Sequence, residues 1–188
     1  MAVFVLGLLV FFGIHSVRML AGPFRERQLA GNERRWKGIY SLLSLLGLVL
    51  IVWGWMLYRP EAPQVYDPPE WARHVTLLLV LIAFVLLASA NMPAGRIKAA
   101  VRHPFLTGIF LWAAAHLLAN GDLASLLLFG AFLLYVLINR VAVEARGEPA
   151  PAVLRPRSDL MALGGGLAFY LVFIFWLHPL LFGVSPLG

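Results

Sequence analysis

Residues 71–90 read WARHVTLLLVLIAFVLLASA, and this stretch decides the fold class of the chain. After Arg73 and His74 it carries no ionisable side chain, and its length matches the roughly 20 apolar residues that a helix needs to cross a bilayer. It lacks the alternation of apolar and polar residues that a membrane-spanning β-strand would show. The stretch therefore predicts a transmembrane helix.

The rest of the chain has the same character. Its 188 residues are 61% hydrophobic and 13% charged, whereas soluble domains are about 45–50% apolar and about 25% charged. The mean hydropathy is +0.85. We therefore expect an all-α fold, a polytopic membrane helix bundle of about six transmembrane helices, in a single domain over residues 1–188. The six apolar segments are Met1–Leu20, Trp36–Tyr58, Trp71–Ala90, Phe105–Ala119, Leu123–Ile138 and Leu160–Phe182.

The basic residues are distributed unevenly between the loops. Of the 15 Lys and Arg residues, 13 lie in the first, third and fifth loops when Arg18 and Lys37, at the adjoining ends of two segments, are counted with the first loop. The positive-inside rule places such loops in the cytoplasm, so both termini are expected on the periplasmic side. This distribution also explains the net charge of +6 without nucleic acid. The lipid bilayer is the partner that the sequence predicts.

Local signals predict three details of the helices. Asn120-Gly121-Asp122 is typical of a tight turn, with Gly121 in the left-handed conformation and Asp122 capping the next helix. The run Gly164-Gly165-Gly166 favours close packing against a neighbouring helix or, less simply, approach to a flat ligand. Pro179 is expected to end or kink the last helix.

Histidines are the candidates for chemistry. The chain has no cysteine, which excludes disulfides, thiolate metal sites and covalently attached haem. Ionisable residues in spans are costly and are functional candidates by default. No carboxylate lies within a predicted span, which disfavours a proton-coupled transporter that uses Asp or Glu. The candidates are His15, His74, His103, His116 and His178.

His15 lies within the first predicted helix, and His116 lies near the end of the fourth. His15 follows Phe11 and Phe12 by about one turn and precedes Arg18, a setting that suits a haem whose propionates point inward. His116 follows three alanines, which leave room for a flat ligand or allow tight helix packing. A histidine bonded to a neighbouring carbonyl or hydroxyl explains the position of His15 equally well.

The remaining histidines lie near helix ends. His103 is expected near an N-cap, where Arg102 and the helix start suit an anion or an interfacial anchor. His103 and His116 are about 20 Å apart along one helix. Depth alone therefore favours His15 with His103, or an outer metal or small-ligand site. The outer group comprises His74, His116, His178 and Asp122.

Several motifs together resemble the NnrU family along essentially the whole chain. They are Gly13-Ile14-His15-Ser16-Val17-Arg18, Asn32-Glu33-Arg34-Arg35-Trp36 with Tyr40-Ser41-Leu42-Leu43-Ser44, Arg102-His103-Pro104 through Gly108, Leu111 through Asp122, Leu177-His178-Pro179 and Phe182-Gly183-Val184. The resemblance implies a bacterial inner-membrane protein linked to denitrification and to active nitrite and nitric oxide reductases.

The NnrU family is in turn similar to plant zeta-carotene isomerase, a membrane enzyme with haem b on histidine ligands. This likeness implies haem b bound by His15 and His116, with His103 close to the site or an alternative ligand. Arg18 and Arg102 would then meet the propionates. The chemistry would be redox, nitric oxide handling or isomerisation.

Two other functions remain open. One is a non-catalytic membrane assembly factor whose partners are denitrification enzymes or their maturation factors. The other is an S-adenosylmethionine-dependent membrane methyltransferase, which Arg102-His103-Pro104 and Gly108 weakly resemble. The glutamate pair expected downstream in such methyltransferases is missing, since Glu144 stands alone.

Overall fold

The computed structural model describes residues 1–147 and 149–188. These residues are mainly helical, and the chain divides into two compact units, Met1–Pro63 and Gln64–Gly188. The single domain expected over residues 1–188 stays a prediction. The first unit contains α1 (Ala2–Leu20) and α2 (Gly22–Tyr58); the second contains α3 (Glu70–Ala90), α4 (Arg96–Val101), α5 (Pro104–Ala119), α6 (Leu123–Ala145), α7 (Arg157–Val172), a π-helical turn (Phe173–Leu177) and α8 (His178–Phe182).

Helices of membrane-spanning length lie in both units. Among the described residues, five helical segments are long and apolar enough to cross a bilayer, and α5 is a shorter apolar helix. The last of the five runs from Arg157 to Phe182 through α7, the π turn and α8. The predicted all-α, multi-pass membrane fold is therefore confirmed.

Glycines bring α1 and α2 of the first unit into close contact. A Cβ on Gly47 would lie 2.7 Å from the backbone nitrogen of Phe11, and one on Gly54 would lie 2.5 Å from the Cα of Phe4. Phe4 is completely buried. Without a hydrophobic drive between helices in lipid, such close backbone approach supplies the van der Waals contact that holds two helices together.

The first predicted loop is mostly helical and forms the start of α2. The sequence predicts a loop between Leu20 and Trp36. In the structure only Ala21, between α1 and α2, and Asn32 are non-helical in this stretch, and Asn32 has φ of −158° and ψ of 95°. The Asn32 side-chain oxygen accepts a hydrogen bond from the backbone N–H of Arg35 at 2.9 Å, so Asn32 caps the helix that follows. Apolarity marks only the lipid-embedded part of a helix, whereas the Arg, Glu, Gln and Ala residues before it also favour helix.

The second unit is built on α3, which packs against both α5 and α7. A Cβ on Gly108 of α5 would lie 3.1 Å from the carbonyl oxygen of Ala83, and one on Gly166 of α7 would lie 2.7 Å from the Cα of Val85. Of the three consecutive glycines, Gly166 alone makes the close contact expected of the run, because Gly164 has no neighbour within 4 Å and Gly165 only just reaches a side chain.

The turn between α5 and α6 is held by the segment that precedes α3. The backbone N–H of Val65 donates to the carbonyl oxygen of Gly121 at 2.8 Å. Asp122 caps α6, as expected, by accepting from the N–H of Ser125 at 2.9 Å. The left-handed conformation predicted for Gly121 is wrong, since Gly121 is not among the residues with positive φ. Its lack of a side chain matters instead because a Cβ would collide with the carbonyl oxygen of Tyr66.

The last span does not end at Pro179. Its hydrogen bonding changes from α-helical to π-helical just before this proline. The five residues Phe173–Leu177 form the π turn, and α8 continues from His178 with Pro179 in its first turn. Proline lacks an N–H and its ring crowds the carbonyl four residues earlier, so a wider turn before it relieves the conflict. The helix ends at Gly183, which has φ of 68°.

Candidate functional site

Three of the five histidines line one cavity in the second unit. This cavity, of about 650 Å³, lies where α3 begins, α5 ends and α8 starts, and it is termed the His116 cavity. The depth count predicted the grouping of these three histidines but also included Asp122, which caps α6 instead. The lining residues are Pro68, Pro69, Glu70, Arg73, His74, Thr76, Leu77, His116, Ala119, Asn120, His178, Val184, Ser185 and Pro186.

His116 is held rigidly in the last turn of α5. Its Nδ1 lies 2.8 Å from the carbonyl oxygen of Trp112, one turn earlier. Its ring stacks on Phe129 of α6, with ring centroids 4.4 Å apart and planes 26° apart. Since a carbonyl oxygen only accepts, the bond to Trp112 requires the proton on Nδ1, and the lone pair of the neutral ring is then on Nε2.

His178 is held by the segment that follows α8. Its Nδ1 lies 2.7 Å from the carbonyl oxygen of Val184, so the same argument places its lone pair on Nε2. Val184, Ser185 and Pro186 then pass along the wall of the cavity. The Arg73 guanidinium reaches the carbonyl oxygen of Leu187 at 3.3 Å, which ties this segment to α3.

A narrower pocket of about 50 Å³ adjoins the same two histidines. His116, His178, Thr76, Leu77 and Pro186 line both spaces. The other residues of the narrow pocket are aromatic or aliphatic: Val80, Phe84, Trp112, Tyr170, Phe173 and Ile174. The two histidines therefore lie where a cavity lined by both polar and apolar residues meets an apolar interior.

Two side-chain hydrogen bonds, from Thr76 and Tyr170, hold the helices around the cavity together. Nothing in the sequence marks either residue as having this role. Thr76 Oγ1 donates to the carbonyl oxygen of Ala115 at 2.7 Å, and Tyr170 Oη donates to that of Leu77 at 3.0 Å. Each such interhelical bond contributes about 0.6 kcal/mol on average in a membrane protein. Together they keep α3 in register with α5 and α7.

Tyr66 closes the loop before α3 onto the end of α5. Its hydroxyl donates to the carbonyl oxygen of Leu117. Burial raises the pKa of Tyr66, and the negative charge of Asp122 raises this pKa further. Both effects favour the neutral phenol, which is the form that donates this hydrogen bond.

The donors around the cavity do not form a site for a bare metal ion. Among the residues that the structure describes, no group of three His, Cys, Asp or Glu side chains is placed to hold one. The outer metal site that the sequence left open is therefore unsupported. A ligand that needs only one or two protein nitrogens remains compatible with His116 and His178.

His15 lies in the first unit in a setting much like that of His116. Its Nδ1 is 2.7 Å from the carbonyl oxygen of Phe11, and its ring stacks on the Phe11 ring with centroids 4.1 Å apart. Tyr40 of α2 lies on another side, with ring centroids 5.3 Å apart. Arg18 follows in the last turn of α1 and is exposed. The structure therefore contains the hydrogen bond from His15 to a neighbouring carbonyl that was one of the two interpretations of the sequence.

His103 lies at the opposite end of α5 from His116. It is the N-cap residue, as expected, but its side chain makes no capping hydrogen bond. The preceding Arg102 has φ of 63° and ψ of −53°, and the N–H of His103 donates to the carbonyl oxygen of Val101 at 2.7 Å. These residues form a γ-turn with positive φ at its central residue, which is the rarer and more strained of the two γ-turn forms. The Arg102 side chain approaches Glu144 of α6 at 3.8 Å.

The comparisons with known proteins give a family and no closer relative. A sequence model of the family described as NnrU protein matches residues 3–186. No curated protein and no solved structure matches the chain. Because the match covers almost all of the sequence, the family predicted from the motifs is confirmed: the chain belongs to the NnrU family.

Proposed function

We propose that this protein is a haem b-binding protein of the bacterial inner membrane that supports active nitrite and nitric oxide reductases in denitrification. Membership of the NnrU family supports the biological setting. The observation that carries haem binding is the shared environment of His15 and His116. Each holds Nδ1 on the carbonyl four residues earlier, and each stacks on a phenylalanine.

This environment suits an iron ligand. Metal-bound histidines commonly donate their second ring N–H to a carbonyl, which fixes the tautomer and the ring orientation. A stacked phenylalanine covers a face of the imidazole and leaves the in-plane lone pair of Nε2 directed away from it. The donor set therefore fits haem iron, which needs one or two protein nitrogens.

Family resemblance assigns iron binding to His15 and His116. His103 lies at the opposite end of α5 from His116, so it would not bind the same iron as His116. Bound haem would supply redox or ligand-binding chemistry at its iron. The residues of this chain would supply the imidazoles, the aromatic surroundings that exclude water and, at Arg18, a guanidinium group for a propionate. Arg102 lies at the opposite end of α5 from His116, about 20 Å along the helix, so the role at the propionates that the resemblance implies for Arg102 does not fit a haem held by His116.

The proposed orientation places both termini in the periplasm. It requires α5 to cross the bilayer as the fourth of six spans. At 16 residues α5 is about 24 Å long, which is shorter than a hydrocarbon core of about 30 Å. Local thinning of the bilayer compensates for such a mismatch at modest cost. Reporter fusions at each terminus that are active only in the periplasm would test the arrangement.

Absorbance spectroscopy tests haem binding directly. The full chain, expressed with added haem and purified in detergent, should show a Soret band and the pyridine haemochrome of haem b. His116→Ala should lower the haem content, whereas Asn139→Ala on α6 should leave it unchanged. A preparation that is folded and monodisperse but has no Soret band would refute the proposal.

A strain lacking the protein separates this function from a non-catalytic assembly role. Wild type should restore nitrite and nitric oxide reductase activity to that strain. If haem is required, His116→Ala at normal protein level should not restore it. Full restoration by His116→Ala would favour an assembly factor that acts through helix contacts with denitrification enzymes or their maturation factors.

A further inference from the structure

His178 shares the His116 cavity although it comes from a different helix. His116 lies in the last turn of α5, whereas His178 begins α8, more than 60 residues later in the sequence. Both rings line the 650 Å³ cavity and the narrow apolar pocket next to it. Residue counting along the spans groups His178 with His116, and the structure adds that the two residues line the same cavity and the same narrow pocket.

The two imidazoles also share a proton arrangement. His116 donates from Nδ1 to Trp112 and His178 donates from Nδ1 to Val184, over 2.8 and 2.7 Å respectively. In the neutral state each therefore carries its basic lone pair on Nε2. The cavity thus brings together two nitrogen donors whose tautomers are set by the backbone.

The number of donors selects the kind of ligand. A structural zinc ion takes about four protein ligands. His74 and Glu70 also line the cavity, but among the described residues no three His, Cys, Asp or Glu side chains are placed to hold a metal ion. In haem the porphyrin supplies the four equatorial nitrogens, so the protein needs to add only the axial ones. Two imidazoles without a third partner therefore match a planar metal chelate better than a bare ion.

The space and its walls agree with such a ligand. Pockets for organic ligands and cofactors have volumes of about 300–1,000 Å³, and the His116 cavity has about 650 Å³. Leu77, Pro69 and Pro186 offer apolar surface, and Arg73 lies at the exposed rim. A guanidinium at the rim suits the carboxylates of a haem, because it offers paired N–H donors.

We infer that the His116 cavity holds the haem and that His178, instead of His15, supplies the second axial imidazole. The inference rests on the proposed haem binding and revises one of its ligands. Under this assignment both axial ligands come from the Gln64–Gly188 unit. His15 then serves the packing of α1 against α2 through its contact with Tyr40.

The test compares His15→Ala, His116→Ala and His178→Ala in the full-length chain, purified in detergent with haem added during expression. The readouts are the absorbance spectrum and the electron paramagnetic resonance spectrum of the ferric form. We expect a low-spin spectrum, typical of two imidazoles, in wild type and His15→Ala. His178→Ala should lose the low-spin signal and become high-spin, and exogenous imidazole should restore it.

The possible outcomes are distinct. If His15→Ala becomes high-spin while His178→Ala stays low-spin, the inference is overturned and the proposed function stands with His15 as ligand. If wild type binds no haem, the proposed function fails, and the inference fails with it. If His178→Ala loses the low-spin signal but imidazole does not restore it, His178 is structural and the inference is rejected. Asn139→Ala is the control for a substitution outside the cavity.

Discussion

His178 and Val184 are joined across the end of the last helix, where the histidine Nδ1 lies 2.7 Å from the valine carbonyl oxygen. The bond forms because the chain reverses at Gly183, whose φ of 68° lies in the left-handed region. The returning segment forms part of the wall of the His116 cavity. The orientation of the His178 ring therefore depends on a single glycine that ends the helix.

Gly183→Ala should loosen this segment. An L side chain in the left-handed region costs about 1–2 kcal/mol, which corresponds to a roughly 5–30-fold rise in the population of the opened segment. Modification of His178 by diethyl pyrocarbonate, followed residue by residue with mass spectrometry, should accelerate accordingly. Gly164→Ala is the control, because Gly164 is on the same span and has no neighbour within 4 Å. Equal modification rates in the two variants would contradict the role given to Gly183.

Gly47→Ala should destabilise the first unit. The new methyl group would lie 2.7 Å from the backbone nitrogen of Phe11, so α1 and α2 would have to separate. Overpacking of this kind typically costs about 1–3 kcal/mol. Thermal unfolding in detergent should show a lower midpoint for this variant than for wild type.

Gly38→Ala provides the matched comparison for Gly47→Ala. Gly38 lies on the same helix, and a Cβ there meets nothing within 4 Å. Alanine favours helix over glycine by up to about 1 kcal/mol, so this variant should be as stable as wild type or more so. If both variants have the same midpoint, the close approach at Gly47 does not hold the two helices together.

The sequence predicts the parts of the fold that depend on local chemistry. Uninterrupted apolar runs identify the spans because lipid leaves no alternative partner for polar side chains. The cap at Asp122 follows from its place between a turn and an apolar helix. Counting residues along each span brings His116 and His178 to one end, since the rise per residue of a helix is fixed.

The environment of each histidine depends on chain segments that are distant in sequence. Trp112 lies one turn before His116, so the sequence alone indicates that these two residues are close. Phe129, which stacks on the same ring, comes from the next helix, and no local pattern indicates this contact. Likewise, the bond from His178 to Val184 depends on how the chain returns after α8. Packing between elements, rather than periodicity within one, decides these contacts.

Asp122→Ala should destabilise the turn between α5 and α6. The substitution removes the carboxylate oxygen that accepts from the N–H of Ser125 at 2.9 Å. Loss of an N-cap costs about 0.5–2 kcal/mol. Asp122→Asn keeps an acceptor oxygen in the same place and should retain most of the stability. Thermal unfolding in detergent separates the two variants, and equal destabilisation by both would show that the charge matters more than the cap.

The stability of the folded protein should fall at high pH because of Tyr66. Burial, and then the charge of Asp122, raise the pKa of this phenol above its ordinary value of 10 in the folded state. Below about pH 10 the phenol is neutral in both states, so its contribution is fully present. As the pH rises further, the unfolded chain loses the proton first and the folded state loses its advantage. Unfolding midpoints measured from pH 8 to 11 should therefore decline more steeply in wild type than in Tyr66→Phe, which lacks the ionisable group. Parallel declines in the two proteins would show that Tyr66 does not cause the loss.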